Sequence, residues 1–183
     1  MRIKAILVVG LVLLKLSCSY GDMIRIPTDY QEILEAVQYT DPGDTILLEI
    51  GEHQVGESIS IPHALTIAGE YVLTHDTTDI SSTRIISSEP QWWSIFTIED
   101  LYPDTVRFTG FSMTAQTEDY GACIEAENSN LAVYHCIFRE CQGFQGGVME
   151  LHDSYIGMYN TVFIGNSAIN AYSCIMALGS SGT

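Results

Sequence analysis

A 25-residue repeat constrains the fold of this 183-residue chain more than any other feature. Three consecutive blocks, 106–130, 131–155 and 156–180, align without gaps. Apolar residues share columns in all three: Val106/Leu131/Ile156, Phe108/Val133/Met158, Met113/Phe138/Phe163, Ile124/Met149/Cys174 and Ala126/Leu151/Met176. A unit this short cannot bury its apolar face alone, but it can bury that face against a neighbouring copy. The repeat therefore predicts a stack of coils.

The coils are predicted to be built from β-strands. Apolar and polar residues alternate in each block, as in 106–109 and 124–127, which is the period of a strand with one buried face. Strands of successive coils would pair in parallel at about 4.8 Å, so that like residues form interior ladders. The column Gln116/Cys141/Asn166 follows a strand, where a polar side chain can bond along the stack. The pattern predicts an all-β parallel solenoid.

The residues before the repeat extend this prediction. Three segments, 64–70, 82–88 and 93–100, have the composition of strands in less regular coils, and a polar excursion fills 71–82. Tyr30, Ile33, Leu34 and Val37 have the spacing of an amphipathic helix, predicted over about 28–39, which would cover the open end of the first coil. We therefore divide 20–183 into this helix cap, irregular coils over 44–105 and 25-residue coils over 106–180.

The first 19 residues have the layout of a secretory signal peptide. Arg2 and Lys4 precede an apolar run, and small residues follow, which predicts cleavage after Ser19. Lipidation at Cys18 is disfavoured because Lys15 stands where an apolar residue is required. The run is shorter than the roughly 20 apolar residues of a transmembrane helix. We expect a secreted or cell-surface protein with no transmembrane segment in the mature chain.

The mature chain is strongly acidic. The whole chain has a formal charge of −16, and removal of residues 1–19 leaves four arginines against 23 acidic residues, a net charge of −19. Such a surface repels phosphate backbones and attracts cations or basic partners. Nucleic-acid binding is excluded on this ground, although acidity also serves simply to keep an exported protein soluble.

Four cysteines remain after cleavage: Cys123, Cys136, Cys141 and Cys174. None has the paired spacing of a zinc site, and export permits disulfides without requiring them. The sequence therefore leaves their pairing open.

Several motifs are similar to those of one structural superfamily. The stretch "IPTDYQEILEAV", followed by "PGDTILLEIGEH", matches a Pro-x-x-Tyr helix and a Gly-Asp-Thr strand, although Gly51-Glu52-His53 replaces the expected Pro-Gly-x-Tyr turn. "TRIIS", "FTIE", "VRFTGFSM" and "CIFRECQGFQGGVMEL" match its repeating strands. From about 24 to 180 the chain resembles secreted bacterial members of the right-handed parallel β-helix, or pectin-lyase-like, superfamily. The resemblance implies that fold, but not one activity, since such folds host many functions.

The catalytic sets that the resemblance would imply are not found in the sequence. Lyases of the superfamily use calcium bound by aspartates and a basic arginine, and its galacturonases use clustered aspartates with Gly-His-Gly and Arg-x-Lys. The mature chain has no lysine and no Asp-Asp pair, and Arg107 and Arg139 are far in register from any aspartate cluster. We therefore name no catalytic residue and lean away from an enzyme.

One group of polar residues is a candidate ligand-binding site. If Ile124 and Met149 point inward, Glu125, Glu127, Glu150 and His152 point outward on one sheet, with Glu150 beside Glu125 and His152 beside Glu127. Adjacent carboxylates repel each other, by about 1 kcal/mol or less. Solvation relieves this repulsion, as would a bound calcium ion or a raised carboxylate pKa. No cofactor is required, calcium is a possible ligand, and a neutral glycan with His152 as donor is the alternative.

Other conspicuous residues have structural explanations. Of the neighbours Trp92 and Trp93, one is expected to face inward. The remaining histidines are assigned to turns, loops or the surface: His53 in a turn, His63 after Pro62, His75 in the excursion, and His135 in a turn column with Gly110 and Asn160. The outward column Thr109/Tyr134/Tyr159 could stack on a sugar or simply pack across strands.

The third block ends at Ser180 without an amphipathic segment to cover it, from which we expect a C-terminally truncated solenoid or a partner at that end. The sequence thus favours an exported, non-enzymatic surface or extracellular scaffold, adhesive or glycan-binding. The alternative is a carbohydrate-active enzyme, a polysaccharide lyase or glycoside hydrolase. Its partner would be an extracellular glycan or a cell-surface molecule.

Overall fold

A computed structural model describes residues 21–87, 92–117, 122–170 and 174–179, so the predicted signal peptide lies outside the described residues. The chain forms a right-handed parallel β-helix, which confirms the predicted fold class. Its strands are β1 Met23–Ile26, β2 Thr45–Leu48, β3 Gly51–Gln54, β4 Ile59–Ile61, β5 Thr66–Gly69, β6 Thr83–Ile86, β7 Phe96–Glu99, β8 Thr105–Thr109, β9 Ser112–Thr114, β10 Ile124–Glu127, β11 Asn130–Tyr134, β12 Ile137–Arg139, β13 Gln142–Gly143, β14 Met149–His152, β15 Tyr155–Tyr159, β16 Val162–Ile164, β17 Ser167–Ala168 and β18 Ile175–Leu178. The helices are α1 Ile33–Val37, α2 Tyr71–Thr74 and α3 Thr77–Ser82.

Three parallel sheets form the walls of the solenoid. Sheet A has six strands in the order β1-β2-β5-β8-β11-β15, sheet B has the order β3-β6-β9-β12-β16, and sheet C has the order β4-β7-β10-β14-β18. From β2 onward the chain visits the sheets as A, B, C in every coil. A further short pair, β13 and β17, lies between sheets B and C in the last two coils.

Apolar ladders run along the inside of each sheet and form one core. In sheet A the register aligns Ile24, Ile46, Ile67, Phe108, Val133 and Met158. In sheet C it aligns Ile59, Phe96, Ile124, Met149 and Ile175. The Phe96 and Phe108 rings lie 5.2 Å apart, so that the ladders of the two sheets also contact each other.

The predicted 25-residue register is correct for most of the repeat. The columns that contain Val106, Phe108 and Met113 are paired as expected, and so are Ile124 with Met149 and Ala126 with Leu151.

The register prediction is wrong in the columns that include Cys174 and Met176. Ile175 pairs with Met149 and Ala177 pairs with Leu151, because the segment before β18 is one residue longer than the segment before β14. Met176 instead lies opposite Glu150. A gapless alignment cannot detect a single extra residue between two strands.

The polar column predicted at Gln116, Cys141 and Asn166 is also shifted. Asn166 behaves as predicted: its Oδ1 accepts from the Cys141 amide at 2.9 Å and its Nδ2 donates to the Phe138 carbonyl at 3.0 Å. Gln116, however, pairs with Gln142, so Cys141 takes an inward position and is fully buried. Asn166 alone therefore makes the predicted bonds along the stack.

Helix α1 caps the first coil, as predicted, but it is shorter than the predicted 28–39. The Asp29 amide donates to the Arg25 carbonyl and its carboxylate accepts from the Arg25 amide, which closes a turn before the helix. Glu32 is extended, with φ −130° and ψ 148°, so the helix begins only at Ile33. Ile33, Ala36 and Val37 are buried in the core.

The polar excursion over 71–82 folds into α2 and α3, which the sequence did not predict. Asp76 caps α3 by accepting from the Thr78 amide at 2.9 Å, and this bond lowers the pKa of the Asp76 carboxyl. Tyr71 lies against Gly110, where a Cβ would come within 3.1 Å of the Tyr71 Cβ. Within the described residues no helix is long and apolar enough to cross a membrane.

Left-handed residues make the corners between strands. Gly110, His135 and Asn160, with φ of 79°, 52° and 54°, occupy the same corner between sheets A and B in successive coils. This confirms the predicted turn column. Asparagine and glycine adopt this conformation at low cost, whereas His135 adopts it with support from its neighbours.

Candidate functional site

The predicted neighbours on the outer face of sheet C are neighbours in the structure. Glu125 pairs with Glu150 and Glu127 pairs with His152, in adjacent strands β10 and β14. The inward residues of these strands, such as Ile124 and Met149, are fully buried and anchor the strands to the core. The alternation of the strands therefore presents all four polar side chains on one outer face.

Glu150 and His152 form the tightest polar contact of this face. The His152 Nε2 lies 2.5 Å from the Glu150 Oε1. The Glu150 side chain is only 2% exposed, whereas that of His152 is 38% exposed. A protonated imidazole would make this contact an ion pair, and a carboxylate so far removed from water gains most from such a partner. His152 is thus the solvent-facing half of the pair.

The other two carboxylates differ in their access to solvent. Glu125 is partly buried, and its Oε2 lies 3.5 Å from the Ser94 Oγ, at the long limit of a hydrogen bond. Glu127 is exposed and is flanked by Glu99 in the coil below. The face therefore grades from the buried Glu150 to the solvated Glu127.

A shallow groove of about 430 Å³ runs over this face. Its lining is formed by Glu125, Glu127, Gln145, Glu150, His152 and Leu178, which we call the sheet C groove. Leu178 enters because the register shift before β18 places it opposite His152. Gln145 belongs to the loop before β14. These two residues were missed by the sequence reasoning, which considered only strand positions in a gapless register.

Gly146 holds the Gln145 loop close to the sheet. A Cβ at this position would lie 2.2 Å from the Met149 carbonyl oxygen, closer than any side chain tolerates. Only glycine permits this approach. The Gly146-Gly147 pair was thus the sequence signal that a loop packs tightly against β14.

The geometry does not by itself provide a metal site. Among the described residues, no group of three or more His, Cys, Asp or Glu side chains is arranged to hold a metal ion. Arg107 lies in β8 of sheet A and Arg139 in β12 of sheet B, so neither is on the outer face that carries the sheet C groove. Calcium binding stays a prediction for a direct titration.

The predicted tyrosine column lies on a different face. Tyr134 and Tyr159 are paired and exposed on the outer side of sheet A, with Thr109 below them. The Tyr159 ring packs edge-on against His135 at 5.7 Å. Both rings thus have free area for a ligand, but they are not part of the sheet C groove.

The tryptophan prediction is confirmed: Trp92 is 75% exposed, whereas Trp93 packs against the core. Of the histidines, His63 contacts the Thr40 Oγ at 3.0 Å and His75 ends α2 with φ of 58°.

His53 is not in a turn, which corrects the prediction. It is the inward residue of β3 and begins a sheet B ladder that continues with Ile85, Met113, Phe138 and Phe163. Its Nε2 lies 2.8 Å from the Glu49 carbonyl oxygen, and burial lowers the pKa of the imidazole.

No protein-family model matches the chain, and neither a curated protein nor a solved structure is significantly similar to it. The β-helix architecture is therefore established by the structure alone. Because this architecture hosts unrelated activities, the function must be argued from the sheet C groove.

Proposed function

We propose that this chain is an exported scaffold of the pectin-lyase-like superfamily that binds a neutral glycan in the sheet C groove without catalysing a reaction. The observation that carries the proposal is the arrangement around Glu150. A buried carboxylate is bonded to a half-exposed imidazole, and Glu125, Glu127 and Gln145 line the same groove. Secretion to the cell surface or medium follows from the predicted signal peptide.

The groove offers hydrogen-bond partners that suit sugar hydroxyls. Carboxylates accept from hydroxyl groups, and the Gln145 amide both donates and accepts. When the His152 Nε2 donates to Glu150, its Nδ1 accepts from a hydroxyl in the neutral ring and donates to one in the protonated ring. Leu178 supplies an apolar edge for the non-polar face of a sugar ring. The net charge of −19 disfavours polyuronates and nucleic acids, which leaves neutral glycans as the best-matched class.

Glu150 favours binding over catalysis. A catalytic carboxylate must reach the reacting bond, but this side chain is 2% exposed and its Oε1 contacts His152. We infer that Glu150 orients His152, and that Glu125 and Glu127 make the direct contacts.

A carbohydrate-active enzyme is the second candidate because of one observation. Glu125 and Glu150 are directly paired in adjacent parallel strands, whose backbones lie about 4.8 Å apart. Retaining glycosidases hold their two carboxyl groups about 5 Å apart. A glycoside hydrolase that used this pair would need Glu150 to become accessible when substrate binds.

Calorimetric titration of the secreted protein with a panel of neutral oligosaccharides tests the proposal. We expect binding that weakens about tenfold or more in Glu127→Gln, because hydrogen bonds to a charged group are lost. Glu57→Gln, which makes the same charge change at an exposed loop position outside the groove, should bind like the wild type. Equal binding by both variants would contradict the assignment of the groove.

Two further arms separate the alternatives. Product release from the same glycans that disappears in Glu150→Gln would establish the enzyme instead of the scaffold. Calcium titrated into the wild type and into a Glu125→Gln, Glu150→Gln double variant tests the metal hypothesis. Identical heats in the two proteins would end that hypothesis.

A further inference from the structure

Two inward-facing cysteines meet inside the solenoid, at the passage from sheet B to sheet C. The Sγ atoms of Cys123 and Cys141 lie 3.0 Å apart, and both residues are fully buried. They are 18 residues apart in the chain. Cys123 directly precedes β10 and Cys141 directly precedes β13, one coil later, so the contact joins one coil to the next.

The backbone holds both cysteines firmly in place. The Cys123 amide donates to the Val148 carbonyl at 2.8 Å, and the Cys141 amide donates to the Asn166 Oδ1 at 2.9 Å. The Phe96 amide donates to the Cys123 carbonyl at 3.0 Å. These bonds to neighbouring coils fix the positions from which the two side chains converge.

The remaining described cysteines are placed elsewhere. Cys136 lies at the corner between sheets A and B, where its Sγ donates to the Tyr134 carbonyl at 3.3 Å. The Cys174 carbonyl accepts from the Val148 amide, so Val148 separates Cys174 from Cys123 along the stack. The sulfur that contacts Cys123 is therefore that of Cys141.

We propose that Cys123 and Cys141 are a disulfide site, oxidised by exchange with an oxidised dithiol during export. The thiolate of one cysteine attacks one sulfur of the oxidised dithiol and breaks its S–S bond. That sulfur is now bonded to the protein in a mixed disulfide, and the other sulfur of the dithiol is released as a thiol. The thiolate of the second cysteine then attacks the cysteine sulfur of the mixed disulfide, which forms the Cys123–Cys141 bond and releases the remaining sulfur of the dithiol as a thiol. The new S–S bond replaces the old one, and two electrons and two protons pass from the cysteines to the dithiol.

Burial determines when this step occurs. Removal from water raises the pKa of the Cys123 thiol well above its usual value, and the contact with Cys141 raises it further. A protonated, inaccessible thiol is a poor nucleophile. The bond therefore forms before the coils close over it, and the closed core then protects it from reductants.

Peptide mapping of the exported protein without reduction tests the site. Cleavage after glutamate separates the four cysteines into the peptides 119–125, 128–140, 141–150 and 151–183. We expect 119–125 linked to 141–150, with Cys136 and Cys174 alkylated. Full alkylation of all four cysteines, or any other linkage, would overturn the proposal.

Thermal unfolding gives an independent readout. Wild-type protein refolded with a reductant should melt about 6 to 12 °C below the oxidised protein, the range expected for closure of a short loop. Cys136→Ala should keep this difference, and Cys141→Ala should show none. A difference that persists in Cys141→Ala would refute the pairing, and if that variant does not fold, the map of the wild type decides.

Discussion

The two ends of the described solenoid bury the same ladders to different extents. At the first coil, α1 covers the core, and its residues Ile33, Ala36 and Val37 are as buried as residues in the middle of the stack. At the last coil, Met158 is 42% exposed, although Val133, one coil earlier in the same ladder, is 0% exposed. A ladder residue is therefore buried by the coil stacked on it and not by its own coil, as expected for a quasi-one-dimensional fold.

The sheet B ladder extends this comparison because the type of side chain, as well as its exposure, changes along it. It begins with His53, continues through the fully buried Ile85 and Phe138, and reaches the partly buried Phe163. The rings of Phe138 and Phe163 are stacked, with centroids 5.4 Å apart. The polar member thus lies beside the cap, and an aromatic member lies at the exposed end.

The largest expected effect separates the middle of this ladder from its last coil. Phe138→Ala should lower the free energy of unfolding by about 3 to 5 kcal/mol, because it leaves a cavity under a closed coil. Phe163→Ala should lower it by about 1 to 2 kcal/mol, since part of that ring is already in water. Urea unfolding measures both values, and equal losses would mean that the last coil is covered in solution.

A smaller effect is expected at the cap. Ile33→Ala should cost about 2 to 3 kcal/mol, because the helix of five residues is held by packing and not by its own hydrogen bonds. Exposed Glu35→Ala in the same helix is the matched control and should change stability little. A loss below about 0.5 kcal/mol for Ile33→Ala would show that the cap is dispensable.

The smallest effect concerns the pH dependence of the capped end. Because burial lowers the pKa of His53, the unfolded chain binds a proton more readily than the folded chain near its usual pKa of 6.5. This contribution to stability is complete above that value and is lost as the pH falls toward the lower folded-state pKa.

Thermal melts between about pH 7.5 and pH 5 measure this linkage. His53→Gln should reduce the fall in melting temperature, whereas the same change at the exposed His75 should leave it as in the wild type. If His53→Gln has the same pH profile as the wild type, the His53 ring of the wild type is solvated.

The fold could be predicted because the same residue spacing recurs in every repeat. Residues such as Val106, Leu131 and Ile156 are 25 positions apart and in contact, so one spacing predicts many pairs. The prediction failed at Cys174, where the segment before β18 is one residue longer, at Gln116, which pairs with Gln142, and at His53, where a polar residue takes an inward position. Cys174 and His53 lie near the ends of the stack, where fewer copies constrain the alignment, and Gln116 lies between two strands.

The candidate site was predicted in part for the same reason. The pairing of Glu125 with Glu150 and of Glu127 with His152 followed directly from the repeat. Gln145 was missed because it lies in a loop without periodicity, and nothing in the pattern indicated that Glu150 would be buried. The shape of the groove depends on loops, and the alternation of residues within strands does not predict the path of a loop.

The sequence by itself determined the strand period and the repeat length, and therefore which side chains lie side by side along the stack. The reason is that strands of successive coils pair in parallel, so residues one repeat apart occupy equivalent positions in adjacent coils. Only the tertiary structure decided how deeply each of those side chains lies. It buried Glu150 beside His152 and brought the sulfurs of Cys123 and Cys141 within 3.0 Å across consecutive coils. Burial depends on what covers a residue from distant parts of the chain, and one-residue differences in turn length change that cover without changing the pattern.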